Sequence, residues 1–276
     1  MVHLMKNPVI KRDLKFKLRI KKLIPAIILR YLCIGILFLL VLLARLGTGI
    51  LAFLIAEAVM ILLFTPGSIC DAFVSQNGKR DVYELSFTRI KQRSIIFSKL
   101  TTSNLYNFII LVVSDIIIFS LLASQNKFNI HGIIYANLIL LTLMLATTIL
   151  AFLFCMIFRR NSIASIFSVY IVIILLLSNV ITAGLFVERT ENQKAKDLLT
   201  KSAVYSNPII ILSRSLGKID LMRTDYMYNI ADSIVGRGIT YPDWRISCIM
   251  YLSVSFILLG AAIFVSYIRR NTVAFD

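Results

Sequence analysis

Six apolar runs, each about 20 residues long, divide the chain and constrain its fold more than any other feature. They extend from near Leu23 to Ala44, Gly49 to Ile69, Leu105 to Ala123, Ile133 to Phe158, Ile163 to Val187 and Ile246 to Ile268. A helix of roughly 20 residues crosses a hydrocarbon core about 30 Å thick. Inside lipid every backbone N–H and C=O must find its partner within the structure, which a helix provides by itself. The expectation is an all-α membrane protein of six transmembrane helices, forming one transmembrane domain over 1–276, with both termini on one side. Composition agrees: at 58% hydrophobic and 16% charged residues, the chain cannot coat a water-soluble core with polar surface. The first run follows basic residues, as a secretory signal does, but it is too long and lacks a small-residue cleavage pattern, so it reads as a retained span.

Charge sets the expected orientation. With the N-terminus inside, the cytoplasmic side takes the eight Lys and Arg before Leu23, six in 70–99, Arg159 and Arg160, and Arg269 and Arg270. The short outer turns then hold only Arg45 and Lys127, while 188–245 carries nine basic and seven acidic residues. This bias is the positive-inside pattern, with both termini cytoplasmic in a multi-pass protein of the cell membrane. The net charge of +16 therefore reflects topology and attraction to anionic lipid. No DNA-reading motif or aromatic stacking platform accompanies it, so nucleic acid is not an expected partner.

Three segments outside the runs carry pattern. In 1–22, Ile10, Leu14 and Leu18 recur every fourth residue with Lys11, Arg12, Lys15 and Arg19 around them, which predicts a cytoplasmic interfacial helix; Pro25 suits the start of the following span. In 70–99, Tyr83, Phe87, Ile90, Ser94 and Phe97 form one stripe flanked by Arg80, Glu84, Arg89, Lys91 and Arg93. A thirty-residue connection exceeds what a turn needs and predicts a cytoplasmic docking surface. In the long extracellular segment 188–245, Asn207 and Pro208 read as N-cap and first residue of a short helix ended by Gly217, and Met222, Tyr226, Ile230 and Ile234 share one helical face. Amphipathic helices resting on or dipping into the outer leaflet are expected there, with Tyr241 and Trp244 anchoring the last span.

Catalytic and metal motifs are missing from the sequence. His3 and His131 are the only histidines, with no HExxH and no CxxC among Cys33, Cys70, Cys155 and Cys248, so no metal ligand set and no disulfide framework is expected. There is no GxSxG elbow and no GxxxxGK[ST] phosphate loop. The chain is thus read as a non-enzyme that binds no cofactor of its own. The polar groups inside the spans are the other candidates. Counted from the outer ends, Glu57, Asp115 and Asn179 share a depth of about 12 Å, with Asn137 nearer the outside. Intramembrane acids face a bundle interior or a wet cavity, either as a transport site or as a structural hydrogen-bond cluster. Arg30 lies near enough to the inner end to snorkel. Ser162, Ser165 and Ser168, and Gly260, Ala261 and Ala262, are small enough for close helix contact.

The stretch TRIKQRSIIFSKL, Thr88 to Leu100, resembles the segment after the second membrane helix of ABC-2 type permeases, the membrane subunits of ATP-binding-cassette exporters. Leu85, Thr88, Ile95, Ile96, Lys99 and Leu100 match that pattern, and the basic opening NPVIKRDLKFKLR, six-helix layout, long last outer loop and NP motif are similar as well. The chain departs from the pattern at Gln76, at Lys79-Arg80-Asp81, at Arg89 and at Ser98. The resemblance implies an export permease with a coupling helix in 70–99, whose Tyr83, Glu84, Phe87, Arg89, Ile90, Arg93 and Lys99 dock on a separate P-loop ATPase subunit. ATP and Mg would bind that partner. A second permease chain, identical or not, would complete the path, and the outer loop would act as exit gate. Two other classes fit the residues: an ion- or proton-coupled secondary transporter using Glu57 and Asp115, and a membrane scaffold or sensor recruiting a regulator to its basic face.

Overall fold

The computed structural model describes residues 20–43, 50–73, 92–123, 130–158, 162–173 and 243–273, with eight isolated residues between 192 and 212. Every regular element among them is helical: α1 Ile20–Leu43, α2 Ile50–Phe73, α3 Gln92–Ala123, α4 Ile130–Ile157, α5 Ser162–Ile173 and α6 Trp244–Val273. Four segments are long and apolar enough to cross a membrane, Leu51–Asp71, Ile96–Val113, His131–Ile157 and Trp244–Ser266; the apolar parts of α1 and α5, Ile27–Leu40 and Ser162–Ile173, are shorter. The protein is membrane-embedded.

The helices alternate in direction. Phe38 of α1 meets Phe53 of α2 with ring centroids 6.4 Å apart, so these helices run antiparallel from the α1–α2 turn. At the far end of α2, Phe73 packs on Phe152 near the end of α4, at 4.8 Å, whereas Leu54 and Ala58 share a core cluster with Ile133 and Ala136 near the start of α4. Hence α2 and α4 are parallel. α3 packs on both in the opposite sense, Asn104 meeting Thr148. α6 is parallel to α4, since Trp244 stacks on Tyr135 at 4.6 Å, while α5 runs from Ala164 in the cluster of Phe152 to Val172 in the cluster of Ile133.

α4 sits at the centre. It is apolar on every side, as suits a helix surrounded by other helices. α6 packs chiefly on α4 and leaves Phe256, Ile257 and Phe264 exposed, and α1 leaves Ile28, Leu32 and Leu39 exposed. In lipid these faces are the expected outer surface, because tails solvate them as readily as a protein interior does. Small residues bring α2 and α5 together: an added Cβ at Gly67 lies 3.7 Å from Ser165 Oγ. The other expected small patch differs, since Gly260 and Ala261 are exposed and only Ala262 is buried. Asp243 caps α6, accepting the Arg245 N–H at Oδ1 (3.3 Å) and the Ile246 N–H at its carbonyl (3.0 Å).

Two boundaries differ from the sequence expectation. Pro25 lies inside α1, which begins at Ile20, so no break separates the end of the expected interfacial helix from the span. α3 begins at Gln92, thirteen residues before the expected Leu105, and α2 continues to Phe73. The connection between them is therefore 74–91 rather than 70–99. The cause is the polarity of Ser98, Lys99, Thr102 and Ser103, which read as aqueous but are buried in the bundle. At 32 residues α3 is about 48 Å long, more than a hydrocarbon core requires.

Candidate functional site

The interior of the bundle holds several polar contacts, most of them centred on α3. Its buried residues Ser98, Thr102, Asn107 and Leu111 recur at helical spacing, so one face carries the polar groups inward. Asn104 accepts from Thr148 Oγ1 of α4 at 2.9 Å, and Asn107 Nδ2 donates to Ser68 Oγ of α2 at 3.0 Å. Thr102 returns its hydroxyl to the Ser98 carbonyl at 2.8 Å, the intrahelical bond by which a threonine tolerates an apolar interior.

The expected layer of Glu57, Asp115 and Asn179 divides. Glu57 is 2% exposed and acts electrostatically on Arg30 of α1, which is 5% exposed, with the Tyr106 and Tyr31 hydroxyls also close to the guanidinium. This corrects the expectation that Arg30 snorkels away from Glu57. Counting residues from a helix end takes no account of which helix lies beside it, and here the guanidinium is buried against its neighbours with Glu57 as the counter-charge. Tyr31 is fixed in turn, its hydroxyl donating to the Ile110 carbonyl at 3.1 Å. Asp115 belongs to a second pair, its carboxylate accepting from the Asn137 amide of α4, and Asp115 Oδ1 and Asn137 Oδ1 are buried without a hydrogen-bond partner. Asn179 lies outside the described residues.

Of the expected coupling residues, Tyr83, Glu84, Phe87, Arg89 and Ile90 lie outside the described residues, and Arg93 is in the first turn of α3. Lys99, the last of the expected docking residues, lies in the second turn of α3. It is 2% exposed, with Nζ 5.8 Å from the centroid of the Phe73 ring, so its charge is held by the last turn of α2 through a cation–π contact. Two residues earlier, Phe97 is 59% exposed, which turns the end of the apolar stripe outward from the bundle.

At the opposite end, Asn207 and Pro208 open a helical turn, the Ile211 N–H donating to the Asn207 carbonyl at 3.3 Å. Ile211 and Leu212 are buried in the cluster of Leu54, Ile133, Ile139 and Tyr251. This piece of the 188–245 segment therefore enters the protein core, a deeper placement than resting on a leaflet. Beside it, Tyr135 stacks between His131 (6.4 Å) and Trp244 (4.6 Å), with the Arg245 guanidinium 5.6 Å from the Trp244 ring. Such a ladder is the usual composition of a membrane interface. Sequence reading also missed the approach of Cys70 and Cys155, whose buried sulfurs are 3.0 Å apart as free thiols. They are 85 positions apart, so no local spacing signals that contact. Among the described residues no group of three or more metal-ligating side chains occurs.

Compared with known proteins, the chain matches no family model, no curated protein and no solved structure.

Proposed function

We propose that the protein is the membrane permease subunit of an ABC-2 type exporter, moving its substrate outward with energy from a separate P-loop ATPase subunit. In this reading all six helices span the cell membrane, with the termini and the 74–91 connection cytoplasmic. The observation that carries it is the mounting of that connection. It joins the end of α2, where Phe73 packs at a tilt on Phe152, to the start of α3, whose Lys99 lies over the Phe73 ring. Phe97 faces outward beside them. A basic amphipathic segment attached there transmits a push from a docked ATPase into both helices, which Asn107–Ser68 ties together, and through Asn104–Thr148 into α4. The buried turn at Asn207–Leu212 supports an exit gate at the far end, because moving it uncovers the core between α2, α4 and α6. A second permease chain completes the path.

Charge reversal at Arg89 and Arg93 tests the coupling role. The expected result is loss of the ATPase subunit and of ATP-dependent efflux from a variant that still folds; unchanged binding and efflux would refute it. One observation favours a second reading, a proton- or ion-coupled carrier: Asp115 carries a carboxylate whose only described side-chain partner is an amide. The Arg30–Glu57 pair weakens that reading for Glu57, since a carboxylate compensated by a guanidinium is a poor proton exchanger. Asp115 alone remains its candidate.

A further inference from the structure

α2 carries a proline inside its last third, in the sequence Thr65-Pro66-Gly67-Ser68, and runs on as a helix to Phe73. Proline has no N–H, so the Leu62 carbonyl receives no helical bond from position 66. Side chains bond to one another around the proline. Ser68 Oγ donates to the Thr65 carbonyl at 2.9 Å and accepts from Asn107 Nδ2 at 3.0 Å. Thr65 Oγ1 and Asn107 Oδ1 are both buried and without a hydrogen-bond partner among the described residues. Thr65 is 0% exposed and Asn107 1%. Ser68 Oγ bonds both the Thr65 carbonyl and the Asn107 amide nitrogen, so the two unpartnered oxygens belong to side chains that meet around one hydroxyl.

The chemistry of the missing partner follows. Asn107 Oδ1 and the Leu62 carbonyl are acceptors only, whereas the Thr65 hydroxyl both donates and accepts. The occupant must therefore bring two donors and one acceptor. Thr65, Ser68 and Asn107 are neutral, so they offer no counter-charge to an ion, and an unpaired cation in a low-dielectric interior is costly. A buried polar atom left without a partner is itself destabilising, and native interiors satisfy such atoms with ordered water. We propose that the proline turn of α2 encloses one bound water molecule, donating to Asn107 Oδ1 and the Leu62 carbonyl and accepting from Thr65 Oγ1. Three bonds is the usual number for a buried water. This water ties α2 to α3 at the one place where the α2 ladder is broken, and the site is independent of the transport mechanism.

The sign of one substitution tests it in the purified full-length protein. Thr65→Val keeps the shape and removes the hydroxyl. If a water is bonded there, Thr65→Val lowers the Tm by about 2–4 °C, and the Thr65→Val, Asn107→Leu double variant loses less than the sum of the singles. If the hydroxyl has no partner, removing it leaves the Tm unchanged or raises it, and the proposal fails. A cryo-EM map resolving these side chains should show one density about 3 Å from both oxygens; empty density between ordered side chains would overturn the assignment. A melt in sodium chloride against choline chloride separates the ion: a sodium-specific rise in Tm that Thr65→Val abolishes would replace water with a cation, and equal melts support water.

Discussion

Breaking the Arg30–Glu57 pair should be among the most damaging polar changes in the bundle. Both groups are almost completely buried, on α1 and α2, and their charges act on one another. Removing one partner by Arg30→Met or Glu57→Leu leaves the other charge buried without compensation, a loss of about 3–5 kcal/mol by analogy with buried pairs in soluble proteins. The double variant removes both desolvation penalties together and places apolar side chains beside Ile34 and Met60, which already cluster at the α1–α2 contact. It should stay within about 1 kcal/mol of the parent, because apolar replacement of a whole buried pair is often neutral or better. Unfolding of the four proteins in mixed detergent and SDS micelles gives the double-mutant cycle directly. Additive losses, or single variants within about 0.5 kcal/mol of the parent, would refute the pairing and restore an Arg30 that reaches the interface. The cycle bears on function as well: a stable, export-competent double variant makes the pair structural.

Other predictions concern packing and the second polar pair. Phe152→Ala deletes a fully buried ring stacked on Phe73 and should cost about 3–5 kcal/mol in the same unfolding assay. Gly67→Ala should be neutral or stabilising by up to about 1 kcal/mol, because a Cβ there meets Ser165 Oγ at ordinary contact distance and alanine favours the helix, whereas Gly67→Leu should cost about 1–3 kcal/mol by overpacking α2 against α5. Asp115→Asn keeps a hydrogen-bonding partner for Asn137 and should preserve folding and ATP-dependent export; export abolished in a folded Asp115→Asn protein would favour the carrier reading.

Much of the fold was legible in the sequence because lipid makes an apolar run of helical length nearly unambiguous. α4 is the clearest instance, its expected Ile133 to Phe158 lying within two or three residues of the structure. What escaped sequence reading was the position of polar residues relative to the bundle. Ser98, Lys99 and Thr102 read as a watery segment, but a long helix buries such groups when α2 offers an aromatic ring to the lysine and a threonine hydroxyl returns to its own backbone. The same cause hid the partner of Glu57: depth along one helix carries no information on which helix lies beside it. Asp115 and Asn137 were both noticed and not paired, since their contact joins α3 to α4. The N-cap at Asn207 was local and readable, while the burial of Ile211 and Leu212 in the core is tertiary and was not.

The central claim is most directly tested by purifying the protein in mild detergent from its native membrane and measuring what accompanies it. The account predicts a P-loop ATPase at one copy per permease chain, with ATP hydrolysis in the complex and release of the ATPase when the 83–97 stretch is disrupted. A chain that purifies without any ATPase, under conditions that keep other membrane complexes intact, would contradict it.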